Sequence, residues 1–461
     1  MKNTVEQHHS SVAERAAEIV SLVADRLADP ATVADIADRP ANRDPIYGAG
    51  MWGPMTLSNG LPGTALFYAE LATRIPVWFG VAHRHVQAAG AALPSQPSRG
   101  LYAGPASLLA ATQTCGGHYP GLRRRLAAWL ADDQLTRLRQ CRTVPGPGIS
   151  WECYDIVNGL SGTARLLLDS AEDPVENDAQ VEHALRETLG YLVNISRTII
   201  VDGHKVPGWW VPAARQAVEQ DRRDYPRGDF NLGLAHGIPG PVVIMSLALR
   251  RGYDVPGLRD ALVRMVEWLI RWVCTDDQGT YWPCRVGFDD EIATAPPRSL
   301  FTRTAWCYGA PGVAAAVHHA GETLGIPEWR AHAVRALHDA LARDESRWTL
   351  AGPTICHGYA GFLQIVHRIG TAERDDVLLA AKTRLAETIL GMADVDAPFA
   401  FRHPMRYPRS APWPTEFKLL DVAGILEGSA GVACALLSVI PALGAAAEAP
   451  ARPWDRVLAL S

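Results

Sequence analysis

No apolar run in this chain reaches the roughly 18 residues that a membrane-spanning helix requires. The nearest stretch, 432–449, is interrupted by Pro441 and ends in charge, so no transmembrane segment is expected. Secretion is not expected either, because no uninterrupted apolar stretch of signal-peptide type follows Lys2. Charge of one sign is lacking. The 44 Lys and Arg residues nearly balance 49 Asp and Glu, for a net charge of −5, which leaves no basic field for nucleic acid. Cysteine is sparse, with eight residues scattered over the chain and no disulfide-scaffold spacing. With no export signal, the expectation is a cytoplasmic protein with reduced thiols. Strand signals are few as well. The stretch from Val144 is broken by Pro145 and Pro147, and 197–206 reads as a small hairpin.

What the chain has is apolar residues (48%) and glycine (40 residues) over 461 positions. That is enough to bury a large core. Much of the glycine falls in one recurring pattern: a Gly, two residues, a small residue, then an apolar run. The copies are Asn59-Gly60-Leu61-Pro62-Gly63, Ala103-Gly104-Pro105-Ala106-Ser107, Asn158-Gly159-Leu160-Ser161-Gly162, His236-Gly237-Ile238-Pro239-Gly240, Tyr308-Gly309-Ala310-Pro311-Gly312, His357-Gly358-Tyr359-Ala360-Gly361 and Glu427-Gly428-Ser429-Ala430-Gly431. The second copy has Ser107 in place of the second glycine. The run after each copy is apolar on most sides, as in a helix buried all round. Before the copies lie segments near 11–28, 80–93, 121–141, 178–200, 256–274, 327–343 and 373–392. In these, apolar residues recur at i, i+3, i+4 and i+7, the mark of amphipathic surface helices.

Seven amphipathic helices alternating with seven buried ones predict an all-α fold, an α/α toroid with an inner and an outer ring. It is read as a single domain over 1–461, with residues 1–50 as an N-terminal helical segment. The glycine turns are expected at one end of the inner helices, on one rim. Three long connections, 201–235, 275–306 and 393–427, precede inner helices and belong to the same rim. They carry Trp209, Trp210, Tyr281, Trp282 and Trp413, as a peptide-contact surface or as packing between loop and rim.

The residues just before the glycines carry chemistry. Turn three follows Tyr154-Asp155, turn four contains His236, turn five follows Trp306-Cys307-Tyr308, and turn six follows Cys356-His357. Equivalent register would point all of them at one rim centre. Cys307, Cys356 and His357 then make a Cys₂His set, three ligands with one open position, as in catalytic zinc sites. Cys115, Cys141, Cys153, Cys274, Cys284 and Cys434 fall outside that register, apart from the nearness of Cys153 to Asp155, and are read as core or incidental.

These motifs resemble those of the lanthionine synthetase C-like family, the lanthipeptide cyclases. The matching pieces are Tyr154-Asp155 before Gly159-Leu160-Ser161-Gly162, the run Leu234–Gly240, the run Arg303–Gly309, Cys356–Gly361 and Leu426–Gly431, spread over the chain from about residue 50. The resemblance implies a zinc enzyme that adds a cysteine thiol of a precursor peptide to a dehydroalanine or dehydrobutyrine of the same peptide, closing a thioether ring. It matches Cys307, Cys356 and His357 to the zinc ligands, and His236, Asp155, Arg303 and Tyr308 to positions lining the same site. His236 is assigned as the acid that protonates the enolate, Arg303 as support for the enolate oxygen or as the partner of a carboxylate, and Asp155 as the group that orients His236 or Arg303 or takes part in proton transfer. A stand-alone cyclase is implied, with a dehydrated precursor peptide as substrate and a separate dehydratase as partner. Two further readings share the residue types: a LanC-like protein that adds glutathione to dehydrated proteins, and another zinc-thiolate transferase on an α/α barrel, such as a prenyltransferase.

Overall fold

The computed structural model describes residues 2–45, 48–93, 99–294, 296–298, 301–407, 416–441 and 452–461. The chain divides into two units, one of Met1–Tyr119, Thr349–Arg456 and Ser461, the other of Pro120–Trp348 and Val457–Leu460. Each is built of helix pairs. Among the described residues no helix is long and apolar enough to cross a membrane.

In the second unit the helices after the glycine turns are Leu160–Glu172, Pro239–Arg250 and Ala310–Leu324. Pro239–Arg250 packs between the other two. All residues from Leu160 to Ala171 are buried, as an apolar run without a polar face requires. Its two buried charges are paired within the helix, Arg165 Nη1 lying 2.5 Å from Asp169 Oδ1. The covering helices are Pro120–Arg142, Ala179–Ile195, Leu258–Arg271 and Pro327–Ala342. Leu258, Ala261, Leu262, Met265, Val266 and Leu269 form the buried stripe of Leu258–Arg271, at helical spacing.

The first unit follows the same plan. Leu61–Ala72, Pro105–Thr114, Tyr359–Glu373 and Ser429–Leu436 follow glycine turns. Ser429–Leu436 packs on both Leu61–Ala72 and Tyr359–Glu373, so segments distant in sequence interleave in one core. Lys2–Arg26, Phe79–Ala92 and Asp376–Gly391 cover them. The N-terminal segment is helical as expected, with a second helix, Pro30–Ala37, capped by Asp29 through its 3.0 Å bond from Thr32 N.

The glycines stand where chains cross. A Cβ at Gly309, whose φ is +89°, would fall 1.5 Å from the carbonyl oxygen of Arg303, so both conformation and space exclude a side chain. At the degenerate second copy Ser107 fits because its hydroxyl donates to the carbonyls of Met55 (2.8 Å) and Gly104 (2.6 Å). Neighbouring turns are tied by backbone hydrogen bonds. In the second unit Ile156 N donates to Ala235 O and Ala235 N to Cys307 O, joining turns three, four and five. In the first unit Cys356 N donates to Leu426 O, Ile425 N to Leu57 O and Leu57 N to Tyr102 O, joining turns six, seven, one and two. Within each unit the turns therefore lie side by side.

The expected hairpin is present as Thr198–Val201 paired antiparallel with His204–Pro207. It ends the preceding helix at Ile195, short of the 200 expected from periodicity. Among the described residues three further two-stranded ladders occur, of which Asp229–Asn231 with Arg285–Gly287 bears on the site. Trp209, Trp210, Tyr281 and Trp282 are all buried. Trp282 Nε1 donates to Leu269 O at 2.7 Å, and Trp209 packs edge-on against Trp268. They are loop-to-helix packing, not a contact surface. Trp413 lies outside the described residues.

One expectation about the thiols is corrected. Cys141 and Cys153 form a disulfide, with Cα atoms 5.7 Å apart. Cys141 stands in the last turn of the helix Pro120–Arg142, and Cys153 ends the short turn Trp151–Cys153. The connection between them folds back, a proximity that the sequence spacing does not announce.

Candidate active site

Turns three to five of the second unit carry four of the expected site residues. Trp151–Cys153 forms a single 3₁₀ turn, and Asp155 N donates back to Trp151 O at 2.9 Å. This buries the Asp155 side chain, 1% exposed. Its Oδ1 accepts the backbone N–H of Asn158 at 2.7 Å, closing the loop before Gly159. Its Oδ2 lies 2.6 Å from His236 Nδ1. Asp155 thus settles its turn and holds the imidazole as well. Against a carboxylate acceptor, Nδ1 is the donor, which leaves Nε2 for other work.

His236 is 28% exposed at its side chain. Burial alone would lower its pKa, but the hydrogen bond and charge of Asp155 outweigh it, and the Cys307 sulfur adds in the same direction. The net shift is upward, so the imidazolium persists above the usual range. Trp151 lies against the imidazole, with ring centroids 5.6 Å apart and planes 25° apart.

The Tyr308 hydroxyl accepts from Asn231 Nδ2 at 3.0 Å. Burial pushes that phenol well above its usual pKa, so it remains a neutral O–H. The strand pair Asp229–Asn231 with Arg285–Gly287 therefore reaches the site through Asn231. Its opposite member Arg285 is held by Asp229 Oδ2 and Asp221 Oδ2, each at 2.9 Å. Arg303 is half-buried, with its guanidinium 5.7 Å from the Phe301 ring centre. Among the described residues no carboxylate pairs with it. Cys307 is buried immediately before Tyr308. The nearby Cys284 is pushed up to about 12 by burial, which keeps it a thiol and a poor metal ligand.

Turn six of the first unit presents Cys356 and His357 in succession, both half-buried. Cys356 is fixed by its N–H to Leu426 O, and the carbonyl of His357 accepts from Ala351 N. The His357 ring meets His403 edge to face, centroids 5.4 Å apart. Burial pushes His403 down to about 4, so it stays neutral beside a metal-ligand candidate. Two thiols and an imidazole are a donor set suited to zinc.

Sequence reasoning missed Trp151, Asn231 and Arg285. Trp151 stands four residues before Asp155, a proximity available to inspection. Asn231 and Arg285 enter through three-residue strands from distant loops, and no periodicity marks them.

The description "lanthionine synthetase C-like protein" fits residues 51–442 through its family model. The chain belongs to the lanthionine synthetase C-like family. Nisin biosynthesis protein NisC of Lactococcus lactis subsp. lactis is 26% identical over 213 residues, which cover 46% of this chain and 48% of that protein. The match thus spans about half the length of that relative. A solved structure, nisin cyclase, superposes with a TM-score of 0.69 at 22% identity, covering 88% of this chain and 92% of the other. At that identity the likeness speaks for the fold: the all-α class with α/α toroid architecture, expected from the glycine turns, is borne out.

Proposed function

We propose that this protein is a lanthipeptide cyclase, closing (methyl)lanthionine rings in a dehydrated precursor peptide, with one zinc ion held by Cys307, Cys356 and His357. The observation that carries the reading is the pair of buried Asp155 and half-buried His236 on turns three and four, beside the Cys307 turn, in a chain of this family. The donor set fits zinc with a position left open for a substrate sulfur. What zinc supplies when bound is a substrate thiol ionised near neutral pH, well below the free value of about 8.5.

The chain's own residues account for the remaining steps. The peptide thiolate adds to the β-carbon of the dehydro residue. A C–S bond forms, and the π electrons of the C=C bond move onto the neighbouring carbonyl as an enolate. His236 Nε2 gives its proton to the α-carbon, and Asp155 keeps Nδ1 donating throughout. The hydrogen that left the thiol is thereby replaced on carbon, and the ring is an isomer of the open peptide. Arg303, with no carboxylate partner among the described residues, is free to meet the charge on the enolate oxygen. Tyr308 holds a neutral O–H beside the same turn.

The reading places the protein in the cytoplasm, acting on the product of a separate dehydratase. The test is incubation with a dehydrated, cysteine-containing peptide, followed by thiol alkylation and mass spectrometry. One thiol lost per ring with no change in peptide mass is expected. Full alkylation of the peptide after incubation contradicts the reading.

A further inference from the structure

Trp151 touches two charged or chargeable groups, His236 and Arg285. One face lies against His236, centroids 5.6 Å apart and planes at 25°. The Arg285 guanidinium carbon sits 4.6 Å from the Trp151 ring centre. Arg285 cannot swing away easily, since Asp229 and Asp221 each hold one of its nitrogens at 2.9 Å. Asp229 is itself fully buried and further bound by Gln216 Nε2 at 2.6 Å. The indole N–H of Trp151 is buried and makes no hydrogen bond among the described residues. The ring is thus used for its faces, not for its polar atom. A tryptophan that donates nothing, pinned by a doubly anchored arginine and stacked on an imidazole, is explained by what it does to that imidazole.

We propose that Trp151 is a positioning residue for His236, and that Arg285 locks it in place. A hydrogen bond through Nδ1 alone leaves an imidazole free to tilt about that bond. The Asp155 contact fixes one point of the ring, and the Trp151 face fixes its plane. Together they define the direction along which Nε2 delivers a proton. Near the transition state such alignment matters strongly, because a misplacement of about 1 Å costs about 10²-fold in rate. The inference rests on the cyclase reading for its kinetic consequence. The stack itself does not depend on that reading.

The experiment compares wild type, Trp151→Phe, Trp151→Leu, His236→Asn and the double variant Trp151→Leu/His236→Asn with a dehydrated cysteine-containing peptide. Trp151→Leu is expected to lower kcat about 10- to 100-fold with KM unchanged. Trp151→Phe keeps a flat face and should stay within about threefold of wild type, since the N–H is unused. In the His236→Asn background Trp151→Leu should cost almost nothing further, because the effect passes through His236. A loss that appears only in KM, an equal loss in Trp151→Phe, or full additivity in the double variant overturns the proposal. The His236 ring protons, read by NMR on the same samples, should shift downfield in Trp151→Leu as the indole ring current is removed. Unchanged His236 shifts also overturn it, and this readout is independent of turnover. If wild type closes no rings while the shift change is seen, the cyclase reading fails and the stack stands.

Discussion

Asp155 Oδ2 stands 2.6 Å from His236 Nδ1, while the other oxygen of the same carboxylate closes the backbone loop at Asn158. Structural and chemical duties therefore meet in one buried side chain, and variants separate them. Asp155→Asn retains an acceptor for Asn158 but removes the anion beside the imidazole. It is expected to fold normally and lose about 10²-fold in ring closure. Asp155→Ala should lose similar activity and also about 1 kcal/mol of stability, the usual worth of a lost cap-type hydrogen bond. Thermal melting and initial rates on the two variants check this. Equal activity in Asp155→Asn and wild type contradicts it.

His236 offers a test that distinguishes proton transfer from metal binding. His236→Asn is expected to keep its zinc and to slow ring closure by about 10²–10⁴-fold. In wild type the acid form is required, so the rate should fall as pH rises through the pKa of His236. That pKa is displaced upward, so the fall lies above the ordinary imidazole value of about 6.5. The variant lacks this limb. Loss of zinc from His236→Asn would place the residue in the metal shell instead.

The Cys141–Cys153 bond predicts six titratable thiols in the unfolded, unreduced protein and eight after reduction. It closes a short loop, with a sequence separation of 12. Chain entropy alone assigns such a loop about 3 kcal/mol. Reduction, or Cys141→Ser, should therefore lower the melting temperature while leaving the zinc content intact. Eight thiols without reductant would contradict it.

Buried histidines make stability depend on acidity. His85 is fully buried, with Nδ1 2.7 Å from Thr64 Oγ1, and burial pushes it down to about 4. His367 is pushed down to a similar value, first by burial and then by Lys382. Between about pH 6.5 and 4 the unfolded chain takes up these protons and the native one does not. Their contribution is complete above pH 6.5 and is lost as pH falls through that window. Each unit of displacement corresponds to about 1.4 kcal/mol per group. Melting temperatures measured from pH 7 to pH 4.5 should decline, and less steeply in His85→Asn. Parallel declines would contradict the assignment to His85.

The helix pairs were legible because the glycine turns admit no alternative. Gly309 faces the Arg303 carbonyl at a distance no side chain survives, and such positions print a pattern into the sequence. The stripe of Leu258–Arg271 was equally visible, since burial on one face imposes its spacing. Asp155 and His236 were legible through their place beside these turns. Trp151, Asn231 and Arg285 were not, because a stack and a three-residue ladder are made by tertiary approach. The disulfide escaped for the same reason. For the loop tryptophans the sequence left two readings open, a contact surface or packing, and Trp209 and Trp282 take the second, filling space against the helix Leu258–Arg271.

Ring closure is expected to need the zinc ion proposed at Cys307, Cys356 and His357. The most direct measurement is ring closure of a dehydrated peptide by wild type, by metal-stripped protein, and by the stripped protein after zinc is restored, with metal content determined on each sample. About one zinc per chain is expected in wild type, no closure when stripped, recovery with zinc, and neither zinc nor recovery in Cys307→Ala/Cys356→Ala. Full closure by the metal-free protein, or full zinc retention by the double variant, would contradict it.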